Sequence, residues 1–340
     1  MSDLERRAAG YRELVTAELR SVVGAGSSEL YAWMRYHLGW EDAERTAVEA
    51  SPGKLMRPVG LLLATELCGG DAIRAVPAAA ALELVHNFSL LHDDVEDRSD
   101  RRRGRPTLWT FAGEAQAINT GDGMFTVARL AMHRLTERGV APEVAVRAMR
   151  ELDETCLRLV EGQYLDISFE ERTDVTLDEY VEMATGKTAA MFAAPLAMGA
   201  ILAGAPEATV AAFRAAGRHV GLGFQMIDDV LGIWGDPAVT GKPVGDDLRS
   251  RKMTYPVITA LASEAVAKSI ADLYSARGSA DEDLDALTRL IEVGGGRTAT
   301  EERARAERDR AIAILEDSGV EPERVQELAE FAGQAVGRVS

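Results

Sequence analysis

Residues 81–107, A-L-E-L-V-H-N-F-S-L-L-H-D-D-V-E-D-R-S-D-R-R-R-G-R-P-T, decide how the rest of the chain is read. The opening, Ala81 to Leu91, is mostly apolar and predicts a buried helix. Asp93, Asp94 and Asp97 follow directly, then Arg101, Arg102, Arg103 and Arg105. Acids beside bases commonly form a solvated, salt-bridged face. Carboxylates at the end of a buried helix need another reason, because buried charge is costly unless paired or bound to metal. On a helix Asp93 and Asp97 are four apart and share a face, with Asp94 beside them. The result is a cluster of hard oxygen donors, the chemistry that suits magnesium.

A second cluster stands downstream. Residues 224–256 read F-Q-M-I-D-D-V-L-G-I-W-G-D-P-A-V-T-G-K-P-V-G-D-D-L-R-S-R-K-M-T-Y-P. Asp228 and Asp229 end another buried-looking helix, Gln225 lies about one turn earlier, and Lys242 and Lys252 follow. A lone Asp-Asp pair is usually an exposed acidic turn. Two such helix ends, each followed by cations, point to one polyanion held by metal and basic side chains. Magnesium binds through few carboxylates plus substrate phosphates, so a diphosphate fits.

These motifs resemble those of the trans-prenyltransferases, the isoprenoid (polyprenyl) diphosphate synthase family, from about residue 50 to about residue 258. The resemblance implies an all-α fold, a single large bundle of roughly ten or more helices around a central apolar cavity, with residues 1–340 as one domain. G-K-L-M-R-P at 53–58 resembles the segment that binds isopentenyl diphosphate, which implies that role for Lys54 and Arg57, joined by His86. Asp93, Asp94 and Asp97 match the first aspartate-rich motif. Arg102 matches a contact to the allylic diphosphate, and Arg103 one to isopentenyl diphosphate. G-Q-Y-L-D at 162–166 and K-T at 187–188 bring Gln163, Lys187 and Thr188 to the pocket. Gln225, Asp228, Asp229, Lys242 and Lys252 match the second motif and its tail. The implied metal ligands are Asp93, Asp97 and Asp228, for three magnesium ions.

One departure stands out. The family's second motif usually reads D-D-x-x-D, and its last position here is Gly232. Because the resemblance assigns metal contact chiefly to Asp228, the site should survive, and Gly232→Asp should change activity little. Asp236, one turn further on, could restore charge there through water.

Composition agrees. In 340 residues, apolar content is 46% with only 6% aromatic, and no Val/Ile/Thr-rich alternation marks a sheet. A net charge of −17 argues against a nucleic-acid binder. Lys54, Arg57, Arg102, Arg103, Lys187, Lys242 and Lys252 would supply local positive charge for polyanionic substrates. Cys68 and Cys156 read as small buried hydrophobes of a reducing compartment. With no leader-like opening and no apolar run of spanning length, a cytoplasmic protein is expected. The family resemblance adds a homodimer.

Periodicity and breakers predict helices over 3–23, a shorter one with Trp33, then 54–69, 75–97, 114–138, 143–170 and 208–234. Arg98 to Thr107 reads as a loop, and 235–247 as a loop over the pocket mouth, a candidate lid. Further helices from 263 onward are broken at 277–279, 294–296 and 319–321. Gly217 and Gly221, four apart, leave a smooth stripe for a neighbouring helix. His92 points about 100° from Asp93 and reads as structural; Asp122, Trp109 and Trp234 read the same way. Glu96 reads as a solvated acid.

The implied reaction ionises an allylic diphosphate, whose cation is attacked by isopentenyl diphosphate. Arg102, Lys187 and Lys242 join the metals in neutralising the departing diphosphate. Phe88 and Ser89 lie five and four positions before Asp93, roughly 6–7.5 Å along the helix, and should limit chain growth. In the family, a bulky farther residue with a small nearer one fits short to medium products, which favours geranylgeranyl diphosphate. Farnesyl or longer polyprenyl products are the alternatives. A class I terpene cyclase would need no second diphosphate site, and a non-catalytic subunit no complete metal clusters.

Overall fold

A computed structural model describes residues 2–24, 26–48, 55–170, 172–236, 245–275 and 281–336. The fold is all-α. The helices are α1 (Asp3–Val23), α2 (Glu29–His37), α3 (Met56–Leu67), α4 (Ala72–Glu96), α5 (Trp109–Ala112), α6 (Glu114–Glu137), α7 (Pro142–Phe169) and α8 (Leu177–Ala184). A π-helical turn, Thr185–Ala189, leads into α9 (Ala190–Leu202), followed by α10 (Glu207–Trp234) and α11 (Asp246–Arg249). The C-terminal series is α12 (Tyr255–Leu261), α13 (Ala267–Ser275), α14 (Asp281–Val293), α15 (Gly296–Glu316) and α16 (Pro322–Val336). Lys54, Lys242, most of the candidate lid and the break at 277–279 lie outside the described residues.

The chain divides into two compact units, Met1–Glu154 with Ala194–Ala211, and Thr155–Ala193 with Ala212–Ser340. In the first unit, α4 packs against α1, α3 and α6. It is apolar nearly all round, and Ala78, Ala79, Ala80 and Ala81 are fully buried, so neighbouring helices approach closely. The Asp71 side chain caps its start, accepting from the Ile73 N–H at 2.9 Å. It ends at Asp97, whose N–H bonds the Asp93 carbonyl, and Arg98 then takes a left-handed φ of 50°.

The stretch read as a loop holds the only strands among the described residues, β1 (Arg101–Arg102) and β2 (Arg105–Pro106), paired antiparallel. Arg103 (φ 52°) and Gly104 (φ 75°) form the turn, both at the positive φ that a type I′ hairpin needs. Helix α3 begins at Met56 rather than 54, because Leu55 before it is left-handed at φ 45°.

In the second unit, Leu222, Met226, Ile233, Val257, Ile258 and Ile270 belong to the buried core. The predicted smooth stripe is real: a Cβ on Gly217 would lie 2.4 Å from the Phe192 carbonyl oxygen, and one on Gly221 2.5 Å from Ala189 Cα. One helical stretch, Leu177–Leu202, is long and apolar enough to cross a membrane, but 67% of its apolar window is buried in the protein.

Candidate active site

In the first unit the three aspartates separate by environment. Asp93 is half-buried and Asp97 exposed, while Asp94 is only 2% exposed. Arg102 donates from Nε to Asp94 Oδ1 at 2.7 Å. Burial pushes the Asp94 carboxyl up, against the pull of Arg102. The first motif therefore offers outward carboxylates at 93 and 97, and turns the one at 94 inward to hold an arginine. Glu96 is exposed, as expected.

The arginine run divides its labour. Arg101 donates to the Gly104 carbonyl across the hairpin. Arg105 is a strut: it donates to the Tyr36 and Glu41 carbonyls at 3.0 and 2.6 Å and lies over the Tyr36 ring. Tyr36 in turn donates its hydroxyl to the Pro106 carbonyl at 2.7 Å. The braced hairpin and the end of α2 enclose a cavity of about 240 Å³ lined by His37, Asp94, Arg102, Arg103 and Arg105.

Arg57 Nη1 lies 3.3 Å from His86 Nε2. A guanidinium can only donate, so Nε2 accepts and the ring proton sits on Nδ1. Burial, followed by Arg57 and then Arg103, pushes the His86 pKa well below its ordinary value, which keeps the ring neutral. Glu83, one turn earlier, is buried with its carboxyl pushed up, and accepts from Asn87 Nδ2 at 2.8 Å. Phe88 meets Phe125 and His92 edge to face, at 5.1 and 5.6 Å between ring centres. Ser89 is buried and donates to the His86 carbonyl. His92 is structural, bonded to the Ile118 carbonyl at 3.2 Å; Trp109 donates to the Ser99 carbonyl.

In the second unit, Asp228 is exposed and Asp229 only 3% exposed. Asp229 accepts the Tyr180 hydroxyl at 2.6 Å, the Tyr255 N–H at 2.9 Å and Gln225 Nε2 at 2.9 Å. Thr188 donates to Gln225 Oε1 at 2.6 Å, so a hydroxyl, an amide and a carboxylate form one chain. Despite these bonds, burial carries the Asp229 pKa up to about 7, with the Asp247 charge adding to it. Lys187 pairs with Asp166, the last residue of G-Q-Y-L-D. The π-turn sets that pair up: Gly162 of α7 and Gly186 of the turn touch, and a Cβ on Gly162 would sit 2.0 Å from Lys187 N. Gln163 is buried, and Lys252 is half-buried with its N–H on the Asp247 carbonyl at 2.9 Å.

Sequence reading missed Tyr180, Asp166 and His37 and gave Asp247 no site role. Asp166 and Asp247 lay inside quoted segments; Tyr180 and His37 show no local signal.

Among the described residues, no three His, Cys, Asp or Glu side chains gather into a closed metal cage. Asp93 is half-buried, Asp97 and Asp228 are exposed, and all three stand in or just after the C-terminal part of a long helix. Such a donor set fits magnesium, whose remaining ligands are water and phosphate oxygens.

A model of the polyprenyl synthetase family matches residues 43–291. The (2E,6E)-farnesyl diphosphate synthase of Mycobacterium tuberculosis (strain H37Rv) is 41% identical over 331 residues, 96% of this chain and 91% of that protein. A geranylgeranyl diphosphate synthase of the same strain is 44% identical over 292 residues, 85% of this chain and 82% of that one. The crystal structure of a polyprenyl synthetase from Streptomyces coelicolor A3(2) superposes with a TM-score of 0.90 at 38% identity, covering 97% of this chain and 99% of that chain.

Proposed function

The chain belongs to the polyprenyl synthetase family, and on that premise we propose that it condenses isopentenyl diphosphate with an allylic diphosphate to make geranylgeranyl diphosphate. The observation that carries the reading is the first unit's separation of roles. Outward carboxylates at Asp93 and Asp97 suit a metal-bound diphosphate, while the Arg57–His86 pair and Arg103 suit a second anion. A cyclase has no use for that second set.

Asp93, Asp97 and Asp228 would hold magnesium, which when bound stabilises negative charge on a departing diphosphate. Arg102, fixed by Asp94, presents its remaining N–H groups to the allylic diphosphate. Lys187, positioned by Asp166, adds charge as the carbon–oxygen bond breaks, and Lys242 shares that role. Arg57 and Arg103 bind the diphosphate of isopentenyl diphosphate, a role that Lys54 shares in this reading. Neutral His86 orients Arg57 without adding a charge. Thr188, Gln225 and Asp229 hold the end of α10 in place, so that Asp228 stays outward. Gln163 and Lys252 are further substrate-binding residues in this reading. The double bond then attacks the allylic cation, and the lost proton passes to the released diphosphate.

Phe88 limits product length, with Ser89 leaving room above it. Farnesyl diphosphate is the second reading, favoured by the Phe125 ring that stands behind Phe88. The enzyme works as a cytoplasmic homodimer in this reading. Incubating the protein with isopentenyl diphosphate, each allylic starter and magnesium, then measuring product length, tests it. A C20 diphosphate is expected; cyclic hydrocarbons, or no turnover with any starter, would overturn it.

A further inference from the structure

Glu83 is a buried carboxyl that the mechanism above leaves unused. It stands on α4, three residues before His86 and four before Asn87, and is only 7% exposed. Residues three and four apart on a helix are neighbours on its surface, so these three side chains form one group. Asn87 Nδ2 donates to the Glu83 main-chain carbonyl and to its Oε1, each at 2.8 Å. Asn87 Oδ1, on the other side of the same amide, is buried and accepts no hydrogen bond. His86 Nε2 in turn meets Arg57 Nη1 at 3.3 Å.

A buried carboxyl needs a compensating partner. Burial pushes the Glu83 carboxyl up, and Arg57 of α3, Asn87, and Arg103 of the hairpin, in that order, hold it down. The two cations that act on it are those assigned above to isopentenyl diphosphate. His86 and His37 are pushed down and stay neutral, and Asp94 is bonded to Arg102. Glu83 is therefore the acid that answers Arg57. A diphosphate that reaches Arg57 and Arg103 brings like charge towards this carboxylate, where burial makes charges act strongly. It also offsets the pull of both arginines, and each effect favours the neutral acid.

We propose that Glu83 takes up one proton from solvent when isopentenyl diphosphate binds, so that the substrate's diphosphate replaces the Glu83 carboxylate as the counter-ion of Arg57 and Arg103. An O–H bond forms on the carboxyl, both guanidinium groups keep their charge, and one anion is exchanged for another. Asn87 suits both forms. It donates to the carboxyl in either, and the new O–H can donate to Asn87 Oδ1, the buried acceptor that otherwise has no partner. Glu83 is a positioning residue: it acts through the two arginines rather than on the reacting atoms. The inference rests on the functional reading above, since it concerns that reading's second substrate.

The test is calorimetric binding of isopentenyl diphosphate, without magnesium or an allylic partner, from about pH 5.5 to about pH 8.5 in buffers of differing ionisation heat. Binding raises the Glu83 pKa from its free value to a higher one, so uptake occurs between the two and affinity falls as pH rises through that window. Glu83→Gln fixes the side chain in its neutral form and can still accept from Asn87. The variant should match the parent at the acid end and bind more tightly at the alkaline end, the ratio growing by up to about tenfold per pH unit. The parent should take up as much as about one proton more per ligand than the variant. A purely structural role instead predicts a variant weaker at every pH. That result, or equal proton counts, would overturn the exchange. If Glu83→Gln does not fold, infrared difference spectra of the parent decide: a protonated-carboxyl band should appear on binding, and its absence overturns the exchange. A parent that does not bind isopentenyl diphosphate overturns the functional reading; binding without the extra proton overturns the exchange alone.

Discussion

The Nε of Arg102 lies 2.7 Å from Oδ1 of Asp94, and this bond removes the middle aspartate of the first motif from the outward donor set. Asp94→Asn should loosen Arg102 and lower kcat/KM about 10–100-fold, while leaving the magnesium concentration needed for half-maximal rate unchanged. A clear rise in that magnesium requirement would make Asp94 a ligand instead.

Asp93 should behave in the opposite way. It is half-buried at a helix end, so Asp93→Ala should leave thermal unfolding nearly unaltered. Turnover should fall at least about 1,000-fold, because the lost interaction matters most as charge develops on the departing diphosphate. Near-parental turnover in the folded, magnesium-supplied variant would sink the metal assignment.

The proposed floor for the growing tail is a pair of rings rather than one. Phe88 is 8% exposed and packs on Phe125 at 5.1 Å. Phe88→Ala should lengthen the linear product by about one isoprene unit, and Phe125→Ala should shift it the same way. Each truncation should also cost about 3–5 kcal/mol of stability where the site does not collapse. Ser89→Phe should shorten the product towards farnesyl diphosphate. Mass spectrometry of the dephosphorylated products reads all three, and unchanged lengths throughout would mean that the tail takes another path.

His37 gives the fold a pH dependence. Burial first, then Arg102, Arg103 and Arg105, pushes its pKa from 6.5 down to about 3, so the folded ring stays neutral. Between those values the unfolded chain binds a proton that the folded chain refuses. Stability is then full above pH 6.5 and falls as pH drops towards 3. The slope from one such group is at most about 1.4 kcal/mol per pH unit. His86, pushed in the same direction, adds to it. Urea titrations between pH 6.5 and 5, above most carboxylate titration, should show the parent weakening, with His37→Gln showing roughly half the slope. Equal slopes would remove His37 from this role.

What could be read from sequence follows from how local each cause is. Helices α1, α4, α6, α7 and α10 came from caps, periodicity and breakers within their own residues, and their bounds agree to within a few positions. The hairpin at 101–106 was read as a loop because an arginine at positive φ leaves no compositional mark. The π-turn has no sequence signature either; it is associated with the contact between Gly186 and Gly162, which periodicity cannot see. His37 gained its meaning from arginines more than sixty positions away, and Asp229 from Tyr180, 49 positions earlier in the chain. In each case the chemistry was written in the residues, but the neighbour that activates it was not adjacent in the chain.

The Gly162–Gly186 contact also constrains how this chain could have changed over time. Alanine at 162 would meet Lys187 N at 2.0 Å, and alanine at 186 would meet the Arg158 carbonyl oxygen at 2.6 Å. Each obstacle is backbone, which no partner substitution can shrink. Neither glycine can therefore be exchanged first and compensated later at the other. The pair is an evolutionary dead end in the useful sense: drift can rework the helices on both sides of this contact, but a lineage that loses either glycine has no single-step route by which the other could restore the Lys187–Asp166 geometry.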